Sequence, residues 1–182
     1  INDIDKVSEI AKKNNIPLLV DAAQSIAHHT IDTKKINCDF LVFSGHKIMA
    51  PTGVGVLYMK NKFLDQLKPF LRGGHMIKEV KYDSSTWNDS PWKFEAGTAN
   101  IAQVIGLGSS IDYINKIGIN NIKEHTNKLK VYLLSQLKNI EDIIIYGHKN
   151  NLAGPVISFN IKNCHPYDIA KLLDGYNICI RA

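Results

Sequence analysis

The sequence predicts an α/β protein that runs on into a smaller α+β region. Three observations predict it. Helical and short apolar strand patterns alternate over the first third of the chain. The strand runs end on polar clusters. Two long helical patterns then separate these strands from a second group of strand-like runs.

From Asp3 to Asn14 the apolar residues Ile4, Val7, Ile10 and Ala11 recur at helical spacing, and Asn15 with Pro17 stops the pattern. Pro17-Leu-Leu-Val20 is an apolar run that ends on Asp21 and reads as a buried strand. Phe40-Leu-Val-Phe43 is a second strand, ending on Ser44-Gly-His-Lys47. Val54 to Met59, after the turn residues Pro51-Thr-Gly53, is a third. The stretch from Lys68 to Asn100 is expected to be irregular, and loops this long inside a compact domain are usually functional. Ile101 to Ile117 and Ile122 to Ile140 read as helices. Gly118 lies between them and is the expected boundary, dividing residues 1–117 from residues 118–182. Strand-like runs follow at Ile143 to Tyr146, Val156 to Ile161 and Ile178 to Arg181, with a helix from Pro166 to Leu173.

With 182 residues, 45% of them hydrophobic, the chain can bury a core, which excludes disordered and collagen-like classes. The 22 basic and 17 acidic residues give a net charge of +5, but the lysines are scattered, so nucleic acid is not an expected partner. No apolar run has the length of a membrane span and no secretory signal pattern is present, so a cytoplasmic location is expected. The three cysteines, Cys38, Cys164 and Cys179, form no CxxC pair and read as reduced, buried packing residues. The chain starts at Ile1 and stops after an apolar run, so it is expected to be part of a longer protein.

In α/β folds, ligands bind beyond the carboxyl ends of the strands, where Asp21-Ala-Ala-Gln24 and Ser44-Gly-His-Lys47 both fall. A pyridoxal-phosphate site needs four groups: a lysine to carry the cofactor, a carboxylate against the pyridinium nitrogen, donors for the phosphate, and a partner for the ring hydroxyl. Lys47, Asp21, Ser44 with His46, and Gln24 are candidates for these in turn. Taken singly, each has an ordinary alternative. A lysine is usually a solvated surface residue, an Asp after a strand is often a cap or turn residue, and a serine there often caps. His28-His29 lacks a third ligand at metal-like spacing and is assigned to packing or polar contacts, so no metal site is expected.

The ordered set of motifs resembles the class V, fold-type I pyridoxal-phosphate enzymes, and within them the cysteine desulfurases of the SufS/CsdA type. It comprises Leu19-Val-Asp-Ala-Ala-Gln24, His28-His29, Cys38-Asp-Phe40, Phe43-Ser-Gly-His-Lys47, Pro51-Thr-Gly-Val-Gly55, Gly73-Gly-His-Met-Ile77, Trp92-Lys-Phe-Glu-Ala-Gly-Thr98, Gly106-Leu-Gly108, Tyr167-Asp168 and Ile180-Arg181. The resemblance covers essentially the whole chain. It implies a fold-type I transferase with a partial large α/β domain over residues 1–117 and the start of the small C-terminal domain over residues 118–182.

The resemblance also implies pyridoxal 5'-phosphate as cofactor, held covalently by Lys47 and contacted by Asp21 at the ring nitrogen, Gln24 at the ring oxygen, and Ser44 and His46 at the phosphate. Thr98 is expected to complete a phosphate site in the neighbouring subunit of a homodimer, and Arg181 to line the substrate side. The implied reaction converts L-cysteine to L-alanine and leaves a persulfide on an enzyme cysteine expected beyond Ala182. The sulfur would pass to an acceptor protein of iron–sulfur cluster assembly. A selenocysteine lyase, another class V lyase or aminotransferase, and an inactive homologue serving as a binding module are the alternatives.

Overall fold

The computed structural model describes residues 2–147 and 154–182. The chain forms two compact units, Ile4–Ile119 and, apart from the first residues, Asn120–Ala182.

The first unit is built on a three-stranded sheet of order β1-β2-β3, comprising β1 (Leu19–Asp21), β2 (Phe40–Ser44) and β3 (Gly55–Met59). β1 and β2 are parallel, with Val20 opposite Leu41 and Asp21 opposite Val42. β3 returns antiparallel, pairing Leu41 with Tyr58 and Phe43 with Val56. Strand alternation therefore places Val20, Leu41, Phe43, Val56 and Tyr58 on one face. There Ala22, Cys38 and Leu41 form one buried cluster, and Ile48, Ala50 and Leu107 a second; Phe43 packs against both. Leu19 and Leu57, on the opposite face, are exposed.

α1 (Ile4–Lys13) is the helix read from the spacing, and its Ser8 hydroxyl donates to Ile36 O at the end of α2 (Thr33–Ile36). α2 was not anticipated. Asp32 caps it by accepting from Lys34 N at 2.9 Å and Lys35 N at 3.1 Å. The segment after Ala22 that carries His28 and His29 is a run of turns. α3 (Ile101–Ile117) has the expected bounds, and Gly118, at φ 88°, ends it.

The stretch 68–100 is less irregular than its composition suggests. It contains a hairpin of β4 (Ile77–Val80) and β5 (Ser85–Trp87), whose short, largely exposed strands carry too little apolar alternation to read as strands.

In the second unit, α4 (Ile119–Leu137) is followed by an antiparallel pair, β6 (Ile143–Tyr146) and β7 (Ser158–Ile161), and by α5 (Pro166–Asp174), which His165 caps through Nδ1. Two expectations are corrected here. The run Ile178 to Arg181 forms no strand, because Ile178 N donates back to Leu173 O at 3.0 Å to finish the end of α5 and no strand among the described residues pairs with it. Cys164 and Cys179 are exposed, and only Cys38 is a buried packing residue.

Candidate active site

Parallel pairing decides where the polar clusters go. Because β1 and β2 run together, Asp21 and Ser44 leave the sheet at the same carboxyl end. Gln24 follows within the turns after Asp21. Ser44 leads into a single 3-10 turn, Gly45–Ile48, which buries Gly45 and Ile48 and leaves His46 and Lys47 exposed on its other side. The structure thus brings Asp21, Gln24, Ser44, His46 and Lys47 to one end of the sheet.

The turn is tightly built. Gly45 N donates to Val54 O at 2.8 Å, and a Cβ at Gly45 would come 2.8 Å from Val54 Cγ1, so any side chain there must displace its neighbours. Met49 closes the turn in the left-handed region at φ 66°. Asp21 is oriented by its own loop: its Oδ1 accepts from Ala23 N at 2.9 Å. The Ser44 hydroxyl does not cap the turn. Among the described residues, the Lys47 amine has no ion-pair or hydrogen-bond partner.

α3 lies along the lysine turn. The buried Ser110 hydroxyl donates to Ile48 O, the carbonyl that follows Lys47. Gly106 faces Pro51, where a Cβ would come 2.6 Å from Pro51 Cγ, and Asn100 Nδ2 donates to Gly53 O at 2.6 Å. Neither Ser110 nor Asn100 stands out in the sequence. The available signal was a serine on the same helical face as Leu107 and Ile114.

Thr98 is exposed on the segment just before Asn100. That segment is held to the Gly73-Gly74 loop by Gly97 N donating to Gly74 O at 2.9 Å, and Gly73 packs directly on it. Arg181 is exposed in the second compact unit.

The opposite end of the sheet carries a separate polar cluster. Asp39, 6% exposed, accepts from Leu18 N at 3.0 Å and pairs with Lys60 at 3.2 Å and Lys62 at 2.9 Å. Burial by itself pushes its carboxyl up, but the Leu18 amide and the two ammonium groups together outweigh that and hold it below its usual range. Burial raises the neighbouring Cys38 thiol, which keeps it protonated and unreactive. An open cavity of about 400 Å³ beside Asp39 is lined by Lys12, Asn15, Lys60 and Lys62; it lies away from Lys47.

The family model described as aminotransferase class-V matches residues 1–182. The chain is 49% identical over 182 residues to a cysteine desulfurase of Wigglesworthia glossinidia brevipalpis, covering 99% of this chain and 44% of that protein. It is 42% identical over 181 residues to a cysteine desulfurase of Escherichia coli (strain K12 / DH10B), with the same two shares, 99% and 44%. Among solved structures, the cysteine desulfurase CsdA from Escherichia coli matches with a TM-score of 0.91 at 32% identity, over 98% of this chain and 44% of that one. The apo cysteine desulfurase from Thermococcus onnurineus NA1 matches with a TM-score of 0.88 at 38% identity, over 98% and 45%. The chain therefore spans about 44% of the length of the curated relatives it matches.

Proposed function

The chain belongs to the class-V aminotransferase family, and from that premise we propose that the full-length protein is a pyridoxal-phosphate-dependent cysteine desulfurase. On this reading it converts L-cysteine to L-alanine and leaves the sulfur as a persulfide on an enzyme cysteine outside these residues. The names of relatives 42% and 49% identical support the reading. The observation that carries it is the delivery of Asp21 and Ser44–Lys47 to one end of two parallel strands.

The donor set fits the cofactor. Lys47 is an exposed amine with no partner among the described residues, Asp21 is an oriented carboxylate with a second oxygen to offer, and Ser44 has a hydroxyl not used by the turn. Lys47 would hold the cofactor covalently, Asp21 would pair with the protonated ring nitrogen, Gln24 would contact the ring oxygen, and Ser44 and His46 would donate to the phosphate. When bound, pyridoxal phosphate supplies an electron sink for charge that develops at the substrate Cα. Asp21 keeps that sink effective by keeping the ring nitrogen protonated. Lys47 Nζ, once free, takes the proton from the substrate Cα. Residues 1–117 serve as part of the cofactor-binding domain and residues 118–182 as the start of the smaller one. Arg181 pairs with the substrate or the persulfide, and Thr98 reaches the phosphate of a second subunit in a homodimer. The persulfide sulfur goes to an acceptor protein for iron–sulfur cluster assembly, in the cytoplasm. No described helix is long and apolar enough to cross a membrane.

The test is alanine production from L-cysteine by the full-length protein with pyridoxal phosphate and a thiol reductant, run beside L-selenocysteine. The expected result is turnover of L-cysteine that falls on the order of a hundred- to ten-thousandfold in Lys47→Ala. A wild type that consumes no L-cysteine, or that acts only on L-selenocysteine, contradicts the reading.

A further inference from the structure

We propose that Ser110 is a positioning residue for Lys47 and that α3 is the seat on which the lysine turn is aimed. The inference rests on the reading of Lys47 as the cofactor-bearing lysine. Lys47 has no partner for its side chain among the described residues, so its direction depends on how its backbone is held. That backbone and the segment after it are held by α3 and its N-cap residue at three points in antiparallel order: Ser110 at Ile48, Gly106 at Pro51 and Asn100 at Gly53.

Ser110 behaves unlike its neighbour. A helical serine usually faces solvent or bonds to a carbonyl one turn back, as Ser109 does to Ile105 O at 3.3 Å. Ser110 is 6% exposed and instead donates out of its helix to Ile48 O, 62 residues away in sequence. It sits on the face that carries Leu107, which packs with Ile48 and Ala50 on either side of Met49. The hydroxyl adds a directional contact to the one peptide that joins Lys47's turn to the left-handed Met49. Removing the hydroxyl leaves that carbonyl without its partner and the peptide held only through Met49 N, which donates to Gly45 O, so the Lys47 side chain is aimed less tightly relative to Asp21 on the neighbouring strand.

The experiment uses the full-length protein stripped of cofactor and titrated with pyridoxal phosphate. It follows the dissociation constant, the pH at which the bound visible chromophore titrates, and the melting temperature. Ser110→Ala is expected to weaken cofactor binding about three- to tenfold and to shift the titration of the chromophore. Ser110→Thr, which keeps the hydroxyl, restores both. Ile36→Val, at a partly buried residue packed against the other cluster, lowers the melting temperature and leaves both unchanged, which separates positioning from general stability. Asn100→Ala, at an exposed position, moves both in the same direction by less, and decides the matter if Ser110→Ala does not fold. Unchanged affinity and titration in Ser110→Ala, or in Asn100→Ala where it must decide, overturns the proposal, as does a Ser110→Thr no better than Ser110→Ala. Lys47→Ala is run in parallel: if it still forms the chromophore, the Lys47 reading fails independently of Ser110.

Discussion

Asp39 joins three strands at the end of the sheet away from Lys47: its side chain takes the Leu18 amide ahead of β1 and two lysines that follow β3. Asp39→Ala would strip a part-buried amide and two ammonium groups of their acceptor. Because the lysines are partly exposed, the loss should be about 2 kcal/mol, below that of a fully buried pair, seen as a lower denaturant midpoint. The carboxyl titrates lower in the folded chain than in the unfolded one, so its stabilisation is complete above the ordinary carboxylate range. It fades as pH falls through that range to the folded value. The acid arm of the stability profile should therefore flatten in Asp39→Ala. Cys38 should react with a thiol reagent only after denaturation, whereas the exposed Cys164 reacts in the native chain. That Asp21 and the Ser44–Lys47 cluster come to one end of the sheet was legible because each cluster follows an apolar run, a local signal. Asp39 and Ser110 were not, since their partners lie across the fold and nothing in the neighbouring sequence announces them.

The helices α1 and α3 were legible from spacing and from the residues that end them, while β4, β5 and α2 were too short or too polar to show. The opposite error at Ile178 to Arg181 has a related cause. An apolar run has strand potential, but a strand exists only where a partner supplies the ladder. The lysine turn is the element on which the site depends, and Gly45 is its tightest point. Gly45→Ala would force a methyl against Val54, so the expected loss is about 1–3 kcal/mol together with weaker cofactor uptake. A Gly45→Ala protein with wild-type melting temperature and cofactor affinity would show that the turn tolerates the displacement.

The two compact units differ in what they offer: Ile4–Ile119 carries Asp21 and Lys47, and Asn120–Ala182 carries Arg181. These residues are about 44% of the length of the matched relatives, and Leu19, Leu57, Ile101, Val104 and Ile105 are more than half exposed. A chain limited to these residues should bind a hydrophobic dye more strongly than the full-length protein does. Every role proposed for this site depends on Lys47 as the residue that carries pyridoxal phosphate. Its most direct test is borohydride reduction of the full-length protein with the cofactor present, followed by peptide mass mapping. A pyridoxyl-phosphate mass is expected on the peptide containing Lys47, with no modification of that peptide in Lys47→Ala. Modification of another lysine alone, with Lys47 untouched, would contradict it.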